Sequence, residues 1–345
     1  MIKRLQEAMM TPQMIVSDAF MIQYLINEHY EVGERMIALL IRKNDEPILF
    51  LNKLFKKPNT IKCIQFDDTE DSIKLLMQHI QENQALALDG TFQFRFTLPF
   101  IQENYTLENA SPTLESLRRI KTPKEMELLF EASQENDRVM DRVRQEIKLG
   151  VSEIELAEKV KEFHNKNTSF EPIVVFTENI ADPHGIPTNR TLTENDVVLV
   201  DMGGMVNNYA SDMTRAFFVG DHPELEAIYK IVLEANKAAI EAVKIGAPLS
   251  SVDKAARDVI TKHGYGEAFI HRTGHGIGIE CHENLDVSST NDTPIEVGMC
   301  FSIEPGIYIE GLGGIRIEDL VCVHEDGVHV LNSYDKEFDQ IQVIL

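Results

Sequence analysis

The chain has 345 residues, enough for about two domains, and its hydrophobic fraction of 43% is typical of a globular protein. Its 56 acidic and 33 basic residues give a formal net charge of −23, which repels phosphate backbones and argues against a nucleic-acid partner. No apolar run approaches the ~18 residues of a membrane-spanning helix, and no signal-type apolar stretch follows the charged start. We therefore expect a cytoplasmic protein without membrane or nucleic-acid partners.

The four cysteines are too scattered to predict a metal site or a disulfide framework. None of them forms a Cys-x-x-Cys pair, so their spacing indicates neither a zinc ribbon nor a set of disulfides. We predict reduced, mostly buried thiols at Cys63, Cys281, Cys300 and Cys322.

Residues 1–116 alternate helical and strand patterns and predict a small α/β amino-terminal domain. The helical stretches are 19–25 and 71–82, and the strand candidates are 37–41 and 48–51. No motif with a chemical function stands out in this part of the chain.

A basic and polar segment at 117–123 interrupts the acidic chain and predicts a linker. A long amphipathic helix follows it, because Thr122 and Glu125 form a capping box and the apolar pattern closes at Gly150. We assign the remaining residues, 124–345, to a carboxyl-terminal domain.

A long helix followed by a short one occurs twice in this domain. In the first copy, a second capping box at 152–155 opens the short helix; in the second copy, 223–245 is the long helix and 250–264 the short one. Each helix pair precedes an apolar strand that ends in a carboxylate, Asp201 in the first copy and Glu304 in the second. This duplication predicts two half-domains that face each other with a site between them.

Asp201 and Asp212 lie on two strands joined by a tight turn, and the turn decides how their side chains meet. If the loop is 207–208, Asp201 faces Thr214 and Asp212 is its diagonal neighbour on the same face. If the loop is 206–207, the two aspartates are directly opposed. Both arrangements bring the carboxylates within about 4.5–8 Å, where they repel unless a cation lies between them. Alternatively, the two carboxylates cap turns or pair with a neighbouring arginine, Arg215.

The second half-domain supplies histidines and further carboxylates. His271, His275 and His282 are interleaved with glycines, a pattern that suits converging side chains, although a flexible loop with incidental histidines is the alternative. Strand alternation places Arg316 and Glu318 on one face, close behind Glu304 in the chain. The candidate metal ligands are therefore Asp201, Asp212, His275, Glu304 and Glu318.

One imidazole and four carboxylates suit Mn²⁺, Co²⁺, Fe²⁺ or Zn²⁺, and two divalent ions would neutralise the four negative charges. His282 and His184 are candidate hydrogen-bond donors to an oxyanion or to a scissile amide. Arg316 would orient a ligand carboxylate. For His184 the alternative is a purely structural role as a histidine of the core.

These residues resemble the metallopeptidases of the pita-bread fold, which include prolidase (Xaa-Pro dipeptidase), aminopeptidase P, methionine aminopeptidase and creatinase. Six motifs in order carry the resemblance: Asp201-Met202-Gly203, Ser211-Asp212-Met213-Thr214-Arg215, His271-Arg272-Thr273-Gly274-His275-Gly276-Ile277-Gly278, His282-Glu283, Ile303-Glu304-Pro305-Gly306 and Gly314-Ile315-Arg316-Ile317-Glu318-Asp319. The resemblance implies an α+β fold, with a pita-bread domain of internal pseudo-twofold duplication preceded by a small creatinase-like α/β domain. It also implies that the amino-terminal domain forms a homodimer and limits substrate access.

In such enzymes the residues that match the five candidate ligands bind two metal ions, and the matches of Asp212 and Glu318 bridge them. The resemblance implies four catalytic residues: Glu304 as proton shuttle, His282 and His184 at the oxyanion and amide, and Arg316 behind the ligands. It further implies that His184, His271 and His282 line the substrate site.

Among the subfamilies, the complete ligand set and the additional amino-terminal domain look most like a bacterial prolidase. The resemblance therefore implies that a hydroxide bridging two metal ions, with Mn²⁺ expected, hydrolyses the imide bond of Xaa-Pro dipeptides. Two alternatives stay open: an aminopeptidase P, which needs a cleft open to longer peptides, and a non-catalytic binding module that kept the fold. The sequence departs from the family pattern at two places near the site. Cys281 stands where relatives usually have Val or Ile, and 175–181 lacks the Ser-Gly sequence that relatives commonly have there.

Overall fold

The computed structural model describes residues 1–343, and the chain divides into two units. Met1–Arg118 forms the amino-terminal unit, and the carboxyl-terminal unit begins at Arg119. A helix, Ser111–Arg119, occupies the first part of the segment expected as a linker, so only 120–122 separate it from the next helix. Within the described chain, no helix combines the length and the apolar character needed to cross a membrane.

The amino-terminal unit is built around one mixed β-sheet. Its elements are α1 (Ile2–Ala8), β1 (Gln13–Val16), α2 (Ala19–Ile26), β2 (Ala38–Arg42), β3 (Ile48–Asn52), β4 (Lys62–Phe66), α3 (Ser72–Met77), β5 (Leu86–Leu88), α4 (Phe94–Gln102), β6 (Leu107–Asn109) and α5 (Ser111–Arg119). The strand order is β4-β3-β2-β1-β5-β6, and β2 runs antiparallel to both of its neighbours. Because alternate side chains point to opposite faces, Leu39 and Ile41 pack into one core, and Ala38 and Leu40 into another.

The carboxyl-terminal unit contains two helix pairs, each followed by antiparallel strands. Its helices are α6 (Pro123–Gln145), α7 (Glu153–Phe163), α8 (Pro223–Ala242) and α9 (Ser250–Lys262). Its strands are β7 (Ile173–Phe176), β8 (Asp196–Met202), β9 (Met205–Val206), β10 (Tyr209–Ala210), β11 (Met213–Val219), β12 (Gly274–Gly276), β13 (Glu283–Val287), β14 (Cys300–Ile303), β15 (Gly306–Ile309), β16 (Gly313–Arg316), β17 (Asp319–His324), β18 (Gly327–Val330) and β19 (Gln342–Val343). The order of long helix, short helix and strands therefore occurs twice, as the sequence predicts.

Each half-domain contributes one sheet to a common core. The first sheet has the order β19-β11-β8-β7 and the second β13-β12-β14-β17-β18, while β9–β10 and β15–β16 are separate hairpins. One hydrophobic cluster joins residues of both halves, among them Val139, Val200, Ile228 and Phe301, all buried. This shared core fixes the ends of β8 and β14, where the candidate carboxylates lie, relative to each other.

The predicted starts of α6 to α9 are confirmed, as is the end of α7, whereas α6, α8 and α9 end a few residues before the predicted positions. Thr122 and Ser152 each form a complete capping box at the start of α6 and α7. Helix α6 ends at Gln145 rather than near Gly150, because the chain turns and the Gly150 N–H donates to the carbonyl oxygen of Leu192. Gly150 has a φ of 83°, a left-handed conformation that glycine adopts without strain.

The prediction of four reduced cysteines is wrong for two of them. Cys300 on β14 and Cys322 on β17 are directly opposed in the antiparallel pair and form a disulfide, whereas Cys63 and Cys281 are free. No spacing rule reveals this bond, because only the register of the two strands brings the sulfur atoms together.

Candidate metal centre

All nine residues predicted for the site line one cavity of about 590 Å³ in the carboxyl-terminal unit. They are Asp201, Asp212, His275, Glu304, Glu318, His184, His271, His282 and Arg316. Phe170, Ile173, Pro183, Ile270 and Arg272 complete the lining. The structure thus brings together residues from both half-domains, although they are widely separated in sequence.

The hairpin of the first half-domain follows the 207–208 loop. Tyr209 pairs with Val206, and Asp201 at the end of β8 faces Thr214 on β11. Both loop residues have positive φ, 51° and 67°, as a two-residue hairpin turn of type I′ requires. Asp212 directly precedes β11, so the register places both aspartates at the same end of the sheet.

The second half-domain places its donors at strand ends and in a short buried strand. His275 is the central residue of β12, which excludes the alternative of a flexible loop at this position. A Cβ atom on Gly274 would lie 1.9 Å from the carbonyl oxygen of Ser302, so the neighbouring strand requires glycine here. Glu304 directly follows β14, and Glu318 lies between β16 and β17.

The imidazole of His275 is held so that Nε2 lies among the carboxylates. Its Nδ1 is 3.0 Å from the carbonyl oxygen of Gly276, to which it donates as a neutral ring. Nε2 then lies 3.7 Å from Asp212 Oδ2 and 3.4 Å from Glu304 Oε1. The Ser302 hydroxyl donates to Glu304 Oε1 over 3.2 Å.

Three carboxylate oxygens of the site are buried without a hydrogen-bond partner in the described part of the chain. They are Asp201 Oδ1, Asp212 Oδ1 and Glu318 Oε1. One donor atom each from Asp212, His275 and Glu318 lies within 4.8 Å of the other two. Unpartnered buried acceptors are costly, so this donor set fits divalent cations that prefer oxygen and imidazole ligands.

The protonation states follow from burial and from mutual repulsion. Burial, followed by the charge of Asp201, raises the pKa of Asp212 well above its usual range. Burial and the charge of Asp212 do the same to the pKa of Glu318. Burial lowers the pKa of His275 and of His282 to about 4, so both rings are neutral near pH 7. A bound cation would therefore replace carboxyl protons rather than imidazole protons.

Arg316 contacts several groups of the site at once and is itself buried. Its Nη2 donates to Asp201 Oδ2 over 2.5 Å, and its Nε donates to Thr214 Oγ1 over 3.1 Å. The Thr214 hydroxyl in turn donates to Glu318 Oε2 over 2.8 Å. Arg316 thus links two of the candidate ligand carboxylates. Arg215 does not pair with either aspartate of the hairpin, because it is buried against Asp319 at 2.7 Å.

Tyr308 is a member of the site that the sequence interpretation missed. Its hydroxyl accepts from Arg316 Nη1 at 3.0 Å and lies 2.9 Å from His271 Nε2. Because His271 Nδ1 donates to the carbonyl oxygen of Arg272, its Nε2 is the acceptor for the Tyr308 hydroxyl. The sequence held a signal for Tyr308, which lies four residues after Glu304. In an extended chain alternate residues share a face, so the two side chains point to the same side.

The two remaining histidines lie at the exposed side of the cavity. The rings of His282 and His275 have centroids 3.9 Å apart. His184 follows a short 3-10 helix, Thr177–Ala181, and its backbone N–H donates to Asp182 Oδ1. Both His184 and His282 are exposed, which excludes a core position for His184.

Comparison with known proteins agrees with this architecture. The family model described as metallopeptidase family M24 matches residues 127–325. An uncharacterised peptidase of Staphylococcus haemolyticus is 38% identical over 91% of this chain and 92% of its own, and one of Staphylococcus aureus strain USA300 is 36% identical over 93% and 96%.

Solved structures match over nearly the full chain. A dipeptidase from Pyrococcus horikoshii OT3 superposes with a TM-score of 0.93 at 29% identity, covering 99% of both chains. A prolidase from Thermococcus sibiricus gives 0.89 at 32% identity, covering 99% of this chain and 98% of its own. A Xaa-Pro dipeptidase from Bacillus anthracis gives 0.89 at 30%, covering 99% of both. These matches confirm the expected pita-bread fold with its additional amino-terminal domain.

Proposed function

This chain belongs to metallopeptidase family M24, and from that premise we propose that it hydrolyses Xaa-Pro dipeptides at a centre of two divalent metal ions. The observation that carries the proposal is the convergence of four carboxylates and one imidazole on one cavity, with three buried carboxylate oxygens left unpartnered there. Four carboxylates this close would repel one another when ionised, and bound cations would neutralise them in place of protons.

The proposed ligands are the five residues predicted from the sequence: Asp201, Asp212, His275, Glu304 and Glu318. Asp212, His275 and Glu318, whose donor atoms lie within 4.8 Å of one another, would hold the ions together with Asp201 and Glu304, and Mn²⁺ is the ion we expect from the oxygen-rich donor set. Divalent ions held there would lower the pKa of a water molecule and polarise the scissile carbonyl.

The side chains of the cavity supply the proton transfers and the orientation. Glu304 Oε1 would take a proton from the attacking water, and the same carboxyl would deliver it to the proline nitrogen as the C–N bond breaks. His282 and His184 would donate hydrogen bonds to the carbonyl oxygen and to the amide of the substrate. Arg316 would keep Asp201 in place through the bond between Nη2 and Oδ2.

The preference for proline rests on chemistry and on similarity. The Xaa-Pro bond has a tertiary amide nitrogen without an N–H, so an enzyme must recognise it through its shape and through activation of its carbonyl. The structural relatives are named as a prolidase and a Xaa-Pro dipeptidase. Their likeness over the whole chain supports the same substrate class here.

We also propose that the amino-terminal unit forms a homodimer and limits access to the cavity, as in the sequence-based expectation. Analytical ultracentrifugation of the full chain tests it, since a monomer at micromolar concentration would contradict it. Location in the cytoplasm likewise stays a prediction. The Cys300–Cys322 disulfide does not favour a cytoplasmic location, because disulfides are rare in reducing compartments. Quantification of free thiols in the protein from cell extracts shows whether this disulfide forms in the cell.

The decisive experiment compares Glu304→Gln with Glu310→Gln, an exposed glutamate in the turn between β15 and β16. We expect the first change to lower kcat on Ala-Pro by about 100- to 10,000-fold and the second to leave it unchanged. Chelation should abolish turnover, and Mn²⁺ or Co²⁺ should restore it. Full activity after exhaustive metal removal would contradict the proposal, and wild-type turnover in Glu304→Gln would indicate another site.

A panel of Ala-Pro and Ala-Pro-Ala separates the two peptidase activities. Cleavage of the dipeptide alone supports the dipeptidase, whereas cleavage of the tripeptide at the same bond indicates an aminopeptidase P. A chain that binds metal but cleaves neither peptide would be a non-catalytic binding module.

A further inference from the structure

A buried glutamate holds the segment that carries His184. Glu153, the first residue of α7, is 0% exposed. It accepts hydrogen bonds from the N–H of Phe176 at 2.7 Å, from the N–H of Thr188 at 2.9 Å and from the Thr188 hydroxyl at 2.6 Å. The carboxylate therefore ties together both ends of the segment 176–188, with His184 between them.

A buried aspartate does the same for the segment that carries His271. Asp253, in the first turn of α9, is 0% exposed. It accepts from the N–H of Thr273 at 3.2 Å and from the Thr273 hydroxyl at 2.8 Å. It also binds the guanidinium of Arg257, which donates to the carbonyl oxygens of Phe269 and His271 at 2.9 Å each.

The two arrangements have the same chemistry in the two half-domains. Each carboxylate lies in the first turn of the short helix and receives both the N–H and the hydroxyl of one threonine, which closely follows a cavity histidine in sequence. We call Glu153–Thr188 and Asp253–Thr273 the anchor pairs. A buried carboxylate is stable only when its oxygens accept hydrogen bonds. Each anchor pair therefore favours a single conformation of its segment.

Both segments also contact the candidate catalytic machinery. The carbonyl oxygen of Thr273 accepts from the N–H of Glu304 at 2.7 Å. The carbonyl oxygen of Pro183, next to His184, accepts from Arg316 Nη1 at 3.3 Å. Loosening an anchor pair would therefore displace the histidine and disturb groups next to the reacting bond.

We propose that the two anchor pairs are positioning residues, one for each half-domain, that hold His184 and His271 in place for the peptide. This inference rests on the proposed function, because it assumes that the cavity binds a peptide. Substrate-contacting groups must be held within a fraction of an ångström, and supporting hydrogen bonds provide that precision. The expected effect of a loosened segment is a higher KM with a smaller fall in kcat.

The test removes one hydroxyl at a time, because Glu153→Gln or Asp253→Asn would leave buried donors facing an amide and could prevent folding. Thr188→Val and Thr273→Val keep the hydrogen bond from the backbone N–H to the carboxylate and lose the one from the hydroxyl. Thr188→Ser and Thr273→Ser keep both hydrogen bonds. Ser333→Ala is the control, since Ser333 donates its N–H and hydroxyl to buried Asp137 in the same way and both residues lie outside the two segments.

We expect the valine variants to lower kcat/KM for Ala-Pro by about tenfold or more, mainly through KM, and the serine variants to restore it. Amide hydrogen exchange, measured by mass spectrometry, should become faster in 177–188 for Thr188→Val and in 269–275 for Thr273→Val. Wild-type kinetics in the valine variants would overturn the proposal, as would an equal loss in Ser333→Ala. A wild-type chain that cleaves no Xaa-Pro peptide contradicts the proposed function instead, and the exchange rates then test the anchoring by themselves.

Discussion

Arg316 and Asp201 form a buried ion pair in the cavity, with Arg316 Nη2 2.5 Å from Asp201 Oδ2. The other oxygen of the same carboxylate, Oδ1, is buried and has no hydrogen-bond partner among residues 1–343. One oxygen is thus engaged by a cation of the protein, and the other stays available to a metal ion.

Replacement of this arginine should weaken metal binding. Arg316→Lys keeps the charge but loses the planar fork, which also donates to Thr214 and to Tyr308. We expect Mn²⁺ affinity, measured by titration calorimetry, to fall by about 10- to 100-fold, with a comparable loss in kcat/KM. Arg138→Lys, at an exposed ion pair, is the control, and unchanged affinity in Arg316→Lys would contradict this role.

The thiol of Cys281 supports a second candidate ligand. Its Sγ donates to Asp212 Oδ2 over 3.0 Å, and the residue is 6% exposed. We expect Cys281→Val to weaken Mn²⁺ binding by about tenfold. This is the smallest loss typical of residues that hydrogen-bond a metal ligand, because a thiol is a weak donor. Cys281→Ser should keep the affinity, and Cys63→Ser serves as the control for the other free thiol. Equal affinities in the valine and serine variants would show that the hydrogen bond does not matter.

A buried ion pair next to His282 should contribute strongly to stability. Lys121 Nζ lies 2.9 Å from Glu283 Oε2, and the two side chains are 2% and 6% exposed. Lys121→Met removes one half of a buried ion pair, so we expect the free energy of unfolding to fall by about 3–5 kcal/mol. Lys124→Met, at an exposed pair, should cost less than about 1 kcal/mol. Because the chain has no tryptophan, urea unfolding is followed by circular dichroism, and equal effects in the two variants would refute the prediction.

His164 should make stability depend on pH away from the metal centre. The residue is buried, its Nε2 lies 3.1 Å from Asn136 Oδ1, and burial lowers the pKa of its ring to about 4. The unfolded chain binds a proton near pH 6.5 and the folded chain only near pH 4, so stability falls as the pH drops between these values. The difference between the two pKa values of His164 corresponds to about 3 kcal/mol in the free energy of unfolding, and this contribution is present in full above pH 6.5.

The measurement compares unfolding free energies of the wild type and His164→Gln from pH 7.5 to pH 4. The wild type should lose more stability over this interval by about 3 kcal/mol, because glutamine does not bind a proton. Parallel curves for the two proteins would contradict the prediction.

Local signals in the sequence were sufficient for much of the scaffold. The capping boxes of Thr122 and Ser152 were predicted and are present, because a cap depends on residues only three positions apart. The sequence limited the hairpin turn to 207–208 or 206–207, and the structure has the first, in which two asparagines with positive φ set the register that pairs Asp201 with Thr214. The duplication supplied the expectation that carboxylates from two half-domains lie around one cavity.

The missed features all depend on contacts between distant segments. The disulfide of Cys300 and Cys322 requires the register of two strands, and the position of Tyr308 between Arg316 and His271 requires the β15–β16 hairpin to meet the segment before β12. The early end of α6 depends on a bond from Gly150 to Leu192, which competes with further helical turns.

The sequence by itself determined the two capping boxes, the order of long and short helices in the two half-domains and nine of the residues that line the cavity, and it left two turns open for the carboxylate hairpin. Only the tertiary structure decided which carboxylate oxygens are engaged by Arg316, Thr214 and Cys281 and which are left unpartnered. The reason is physical: caps, turns and periodicities depend on neighbours in the chain, whereas the partner of a buried polar atom is set by how the shared core packs two half-domains together.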